Sequence, residues 1–411
     1  MYARSREDAL SAAAQMDSGQ TEKTSASGVF VCRLQAAYFR NYPFLRLDLP
    51  ADCPQIVLTG KNGVGKTNLL EAISFLVPGK GLRQAKFSDI LPKENERASA
   101  WGVTAVLHRG NEEIEVGTDY EKIDGKNSER RRVRINGASG LAQTELGRIC
   151  SAVWLTPAMD RLFSGEPSGR RRFLDRLAQA FFENHASACA AYSQALKQWG
   201  ALIRDGEKDE RWLSALETTL GKYGAKVAAE RRETVAILQA ALEQADDNGA
   251  FPRPVLALRG GWEEELISVA EAEAAAFIRK RFTAARETYA QTGSAGGIHT
   301  VDLDALHREK NMPAAACSTG EQKALLISIL LAHVRAQAAA KGVFPLVLFD
   351  EAAAHLDFAR REALMNGISA LKTQVWLTGT DSRPFEGLKE TAHFIAVDDL
   401  LRNAPDWAAA S

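Results

Sequence analysis

Cysteine is scarce and poorly spaced for chemistry. The chain of 411 residues has five, Cys32, Cys53, Cys150, Cys189 and Cys317, an odd number with no C-x-x-C pair. That pattern reads as buried or incidental thiols in a reducing compartment rather than as disulfides or zinc ligands. An excess of one charge is also missing. The formal net charge is −1, so any nucleic-acid surface has to be a local patch. No apolar run approaches the ~20 residues of a membrane span. Residues 1–28 are rich in Ser, Ala, Gln and charge, lack the apolar stretch of a signal peptide, and read as a disordered tail. The expected location is the cytoplasm, with no membrane partner. No internal repeat or long heptad run is present. What is plentiful is apolar content, 45%, enough for two or three domains of ~100–200 residues each.

Two halves of one nucleotide site stand at opposite ends of the chain. Gly60, Lys61, Asn62, Gly63, Val64, Gly65, Lys66 and Thr67 match G-x-x-x-x-G-K-[ST] in full. The loop follows the short strand-like run Gln55–Thr59 and opens a stretch with helical apolar spacing at Thr67–Leu76. Glycines let the backbone curl its N–H groups toward phosphate oxygens, and the helix N-terminus adds a favourable dipole. Lys66 is expected to reach the β- and γ-phosphates of ATP, and Thr67 to hold Mg²⁺. Near the other end, Leu346-Val347-Leu348-Phe349 runs into Asp350-Glu351. A carboxylate ending a buried strand needs a partner, and Mg²⁺ suits Asp350. Glu351 is then placed to orient or deprotonate water.

Between them lies Ser318-Thr319-Gly320-Glu321-Gln322, ahead of an apolar helix. Ser318 and Glu321 form the pattern of a capping box. Two readings stay open: a well-capped helix, or a helix N-terminus that takes the γ-phosphate of a nucleotide on another subunit.

The chain between these motifs changes character. Residues 99–136 alternate as a small antiparallel sheet, with Asp124-Gly125 and Asn136-Gly137 as turns. Phe173–Leu202, Trp212–Gln244 and Glu263–Tyr289 read as long helices, broken at Asp205-Gly206 and Asp247-Asn248-Gly249. The expected fold class is α/β, a P-loop ATPase head with an attached antiparallel β-subdomain and an inserted helical arm. The division is 1–28 tail, 29–170 first part of the head, 171–296 arm and 297–411 second part of the head.

The order of P-loop, Ser-Thr-Gly-Glu-Gln and Asp350-Glu351-Ala352-Ala353-Ala354-His355-Leu356-Asp357 resembles the ABC-type ATPase heads of SMC-like proteins. The likeness narrows to the bacterial RecF family of recombination mediators. Tyr38–Tyr42, Leu155–Phe163, Gly165–Asp175 and Cys317–Leu326 carry it, and it runs over nearly all of residues 29–400. The resemblance implies two heads that dimerise around ATP. Arg40, Asn41, Asn68 and Glu321 join the P-loop as implied nucleotide-binding residues, and Ser318 and Gly320 of the other subunit are implied to clamp the γ-phosphate. Asp357 couples the subunits. Slow, DNA-stimulated hydrolysis opens the dimer. The implied partners are DNA at single-strand/double-strand junctions and RecR, and through it RecO and RecA. The different reading is the ATPase subunit of another ABC-type system, a transporter or an SMC-like complex. Thr319 departs from the glycine usual in transporter heads, and Thr380 stands where many ABC ATPases place a switch histidine.

Arginine clusters are the DNA candidates: Arg161, Arg170 and Arg171 near the start of the arm, and Arg130 and Arg132 in the β-subdomain. Guanidinium forks suit phosphate; the alternatives are internal bracing of head against arm by Arg171 and Arg172 through Asp175 and others, and a solvated turn for the second cluster, and these readings stay open.

Overall fold

The computed structural model describes residues 27–51, 53–93, 98–122, 130–206, 209–244 and 251–402. The tail reading for residues 1–26 and the turns at Asp124-Gly125 and Asp247-Asn248-Gly249 lie outside these.

A five-stranded parallel sheet forms the centre. Its strands are β3 (Gln55–Thr59), β8 (Ala152–Leu155), β12 (Leu346–Phe349), β13 (Val375–Gly379) and β14 (Ala392–Ala396), in the order β14-β3-β13-β12-β8. Alternate residues of these strands enter different cores. Ile56, Leu58, Leu346, Leu348 and Trp376 join one, while Val57, Val347, Phe349, Val375 and Leu377 join the other. A pleated strand sends successive side chains to opposite faces, so a sheet covered on both faces reads as continuously apolar.

The first face is covered by α1 (Lys66–Ser74) and by a six-stranded antiparallel sheet, ordered β2-β1-β4-β5-β6-β7. It consists of β1 (Val29–Phe39), β2 (Tyr42–Asp48), β4 (Ala100–Arg109), β5 (Glu112–Glu121), β6 (Arg132–Ile135) and β7 (Ala138–Ser139). Edge-on ring contacts among Phe39, Phe75, Phe87 and Trp101 fill the space between sheet and helix. On the second face lies α6 (Thr319–Lys341). By length and composition this helix could cross a membrane, but 83% of its apolar window is buried inside the protein, so its hydropathy is that of a core helix.

The long helices of the insertion are α2 (Pro167–Ala178), α3 (His185–Arg204), α4 (Glu210–Glu243) and α5 (Glu271–Thr292). At 34 residues, α4 is about 50 Å long. Asp209 caps it, Oδ1 accepting from the N–H groups of Arg211 and Trp212 at 2.9 and 3.2 Å. Trp199, Leu220, Ile278 and Phe282 anchor a separate core between the helices. Where α4 crosses α5, a methyl group on Gly221 would stand 2.4 Å from the carbonyl oxygen of Ala275. Gly221→Ala must therefore push backbone against backbone, a loss of about 1–3 kcal/mol that chemical denaturation would register. An unchanged midpoint would mean that the crossing is looser than this.

Three local expectations change. The helix expected over Glu263–Tyr289 is a one-turn helix, Glu263–Leu266, followed after a break by α5. The insertion is not all helical: β9 (Pro254–Arg259) pairs antiparallel with β10 (Asp302–His307), from Arg259↔Asp302 to Pro254↔His307, and β11 (Met312–Pro313) adds at the far edge. Pro252 and Pro254 disguise β9, and its partner lies far along the chain. The helix expected over Phe173–Leu202 is instead two, α2 and α3, with no Gly or Pro at the break. There, His185 at the start of α3 turns back to bond Asp175 of α2.

Candidate nucleotide site

The loop after β3 curls as its glycines allow. Gly60, Gly63 and Gly65 have φ of 147°, 84° and 114°. A side chain on Gly65 would strike Tyr42 Oη at 2.6 Å and Asn41 Nδ2 at 2.7 Å. Asn41, from the turn between β1 and β2, and Tyr42, the first residue of β2, hold the loop: Asn41 Nδ2 donates to Val64 O at 3.0 Å and Tyr42 Oη to Gly65 O at 3.1 Å. Asn68 Nδ2 donates to Asn41 Oδ1 at 2.6 Å. Gly65 leads directly into α1 with no side chain capping the helix, so its first N–H groups are available to an anion. Lys66 is buried and folds over the loop, donating to Gly60 O at 2.6 Å and Lys61 O at 2.9 Å. Asp398, near the C-terminal end, accepts from Lys61 N at 3.3 Å.

The second half of the site meets the first across β13, which lies between β3 and β12. Thr67 Oγ1 donates to Asp350 Oδ2 at 2.8 Å, and Thr378 Oγ1 donates to Asp350 Oδ1 at 2.7 Å. Asp350 is 3% exposed, so both oxygens of a buried carboxylate are satisfied by hydroxyls. Glu351 follows with φ of 52°, a left-handed conformation uncommon outside glycine. Its N–H donates to Thr378 Oγ1 at 2.9 Å, and its carbonyl accepts from Lys323 Nζ at 2.8 Å. Lys323, on α6, is almost fully buried, and burial pushes its ammonium below the ordinary lysine range against the pull of Asp160. The backbone of Glu351 is thus clamped at the C-terminal edge of the sheet, where open α/β sheets bind ligands. Thr378 and Lys323 were not among the sequence candidates. Lys323 sits directly after the Ser318–Gln322 motif, but only the fold shows that it reaches Glu351.

Ser318 and Glu321 form the capping box in full. Ser318 N donates to Glu321 Oε2 at 3.0 Å, and Ser318 Oγ accepts from Glu321 N at 3.4 Å. A hydrogen bond from Lys310, then those from Ser318, hold the Glu321 carboxyl down at about 2. A methyl on Gly320 would come 3.2 Å from His355 O, so this helix start lies against the loop that follows Glu351. Asp357 ends that loop and caps α7 (Phe358–Ser369), accepting from Arg360 N at 2.9 Å. None of the hydrogen bonds of Ser318, Gly320 or Glu321 among the described residues reaches Gly60–Thr67 of the same chain.

Other sequence candidates are committed elsewhere. Arg40 donates to both oxygens of Glu71 at 2.9 and 2.7 Å and to Asp89 O at 2.8 Å, so in this conformation it braces α1. Arg170 grips Asp302 through two bonds of 2.7 Å and also bonds three loop carbonyls. Arg171 donates to Val301 O at 2.8 Å. Arg171 is thus engaged internally, as the bracing alternative has it, though through Val301, and Arg170 is held likewise by Asp302. Asp175 instead takes Arg231, at 2.7 and 2.9 Å. Arg132 pairs with Asp119 and Glu121, while Arg130 and Arg161 are exposed. His299 is packed against Tyr192, whose hydroxyl lies 2.9 Å from its Nδ1.

Residues 30–400 match the family described as RecF/RecN/SMC N terminal domain. The DNA replication and repair protein RecF of Mesorhizobium japonicum is 40% identical over 369 residues, spanning 90% of this chain and 96% of that protein. The chain belongs to the RecF family. A second RecF relative, from Allorhizobium ampelinum, is 41% identical over 375 residues, covering 91% of this chain and 98% of that one. A solved structure of the recombination mediator protein RecF with ATPrS superposes with a TM-score of 0.77 at 19% identity, covering 91% of this chain and 98% of that one. The RecF fold therefore extends over head, β-subdomain and arm together.

Proposed function

We propose that this RecF-family chain is an ATP-dependent DNA-binding protein of recombinational repair and replication restart, acting in the cytoplasm. The observation that carries the reading is the joining of Thr67, Asp350 and Thr378 at one end of the parallel sheet, beside a lysine-covered P-loop. The curated relatives are named for DNA replication and repair, and the superposed RecF structure for the RecFOR pathway.

In this reading residues 29–170 and 297–411 make the head and 171–296 the arm. Gly60–Thr67 wraps the phosphates of ATP, with Asn68, Asn41 and Arg40 holding the loop and its helix in shape. Thr67 and Asp350 offer adjacent hydroxyl and carboxylate oxygens, a donor set that fits Mg²⁺. Bound there, the ion would neutralise phosphate charge. Glu351 orients and deprotonates the attacking water. Ser318 and Gly320 of a second head close on the γ-phosphate, with Asp357 at the same contact. The dimer clamps DNA at a single-strand/double-strand junction, hydrolysis is slow and stimulated by DNA, and release helps RecR and RecO to load RecA. Exposed Arg161 and Arg130 are the favoured phosphate contacts, because Arg170, Arg171 and Arg132 already have internal partners.

The test is mass in solution by light scattering. The Glu351→Gln protein is expected to double in mass with Mg-ATP and then to retain gapped duplex DNA. Adding Ser318→Arg should keep it monomeric while ATP still binds, because the P-loop is untouched. A mass indifferent to ATP in the Glu351→Gln protein would sink the sandwich mechanism.

A further inference from the structure

Away from the nucleotide site, α2 and α3 bring three metal-binding side chains together. A carboxylate oxygen of Asp175, a ring nitrogen of His185 and the Cys189 sulfur all lie within 4.8 Å of one another. Asp175 Oδ1 is 3.0 Å from His185 Nε2, and Cys189 Sγ is 3.4 Å from the same nitrogen. Around a tetrahedral zinc ion, with bonds of about 2.0–2.1 Å to N and O and about 2.3 Å to S, the nitrogen–oxygen and nitrogen–sulfur edges are about 3.3 and about 3.5 Å. The two edges that meet at His185 Nε2 already stand close to that spacing, and the oxygen and sulfur lie within 4.8 Å of each other.

The surroundings also suit an ion. His185 and Cys189 are one turn apart on one face of α3. The other ring nitrogen of His185, Nδ1, is 2.7 Å from Glu230 on α4. A carboxylate on the far nitrogen of an imidazole fixes which nitrogen is left for a metal and raises its basicity. Asp175 cannot swing away, because Arg231 holds both its oxygens, at 2.7 and 2.9 Å. His185 is fully buried, whereas Asp175 is 20% exposed in its side chain and Cys189 is half-buried, so solvent reaches the cluster from their side.

We propose that Asp175, His185 and Cys189 form a zinc site where the ATPase head passes into the arm. The nitrogen, sulfur and oxygen donor set is of the kind zinc takes, and three protein ligands leave a fourth position for water. Binding replaces the proton on His185 Nε2 and the thiol proton of Cys189. Both protons go to solvent and the dication takes their place, so the charge of the cluster is unchanged. The ion ties α2 to α3 across residues 179–184, the break that no Gly or Pro explains. A ligand set drawn as Asp, His and Cys from two helices escapes a search for C-x-x-C.

The test uses the full-length, untagged protein, stripped with a chelator and titrated with Co²⁺, then Zn²⁺. Expected is one Co²⁺ per chain with a near-ultraviolet thiolate-to-cobalt band, which Zn²⁺ abolishes. Cys189→Ser should remove the band while the far-ultraviolet dichroism stays that of the parent. Glu230→Gln should keep the band and weaken Zn²⁺ binding by roughly 10–100-fold, as loss of an imidazole's outer partner does. Cys150→Ser and Cys317→Ser should leave both readouts unchanged. Cobalt at a site made of oxygen ligands, such as that of Thr67 and Asp350, gives no thiolate band. Absence of the band in the parent protein, or its survival in Cys189→Ser, overturns the proposal.

Discussion

Glu351→Gln is expected to lower ATP turnover by about two to four orders of magnitude, the range that a positioned general base supplies, and to leave ATP affinity nearly unchanged. The backbone argument makes the substitution selective. Glu351 is held in a left-handed conformation by Thr378 on its N–H and Lys323 on its carbonyl, and neither contact uses the carboxylate. Glutamine has nearly the same size and keeps both main-chain bonds, so the loop has no cause to move. It loses the negative charge and with it the ability to take a proton. The measurement is steady-state phosphate release with and without gapped DNA, set beside equilibrium binding of a fluorescent ATP analogue. Normal turnover would show that the base lies elsewhere. Loss of binding along with turnover would show that the side chain also holds the loop in shape.

Most of the head is legible in the sequence because its signals are local. Gly60, Gly63 and Gly65 must supply positive φ, and they sit at the spacing that says so. The apolar run Leu346–Phe349 needs both faces covered, and the fold covers both. Ser318 and Glu321 cap their own helix, a contact three residues long. What escapes is whatever depends on distant chain. Thr378 supports both Asp350 and Glu351, yet nothing near Thr378 marks it; β13 acquires the role by lying between β3 and β12. Strand β9 is visible only once β10 is beside it. The arginines show the limit of composition, since a guanidinium meant for phosphate and one meant for a buried carboxylate look alike until Asp302 is found against Arg170. Arg231 and Asp175 make the same point at the neck.

Lys66→Met is expected to remove ATP binding and, with it, ATP-dependent retention on DNA. The ammonium now donates to two loop carbonyls, Gly60 O and Lys61 O, and it is buried. Those carbonyls hold it over the hollow of the loop, where β- and γ-phosphate oxygens would take it over. Each charge-assisted hydrogen bond contributes about 1.5–3 kcal/mol, so losing two such contacts weakens ATP by roughly two orders of magnitude or more. Methionine fills the aliphatic path of the lysine but leaves the two carbonyls without their donor, so a modest loss of stability should accompany the loss of affinity. The two effects separate by experiment. Calorimetric titration reports ATP affinity, while a thermal melt without nucleotide reports the loop alone. Binding lost with a melt close to the parent's assigns Lys66 to the phosphates. Affinity within a few-fold of the parent's would mean that the helix N-terminus and the loop amides hold ATP without it, and that the lysine serves only to shape the loop.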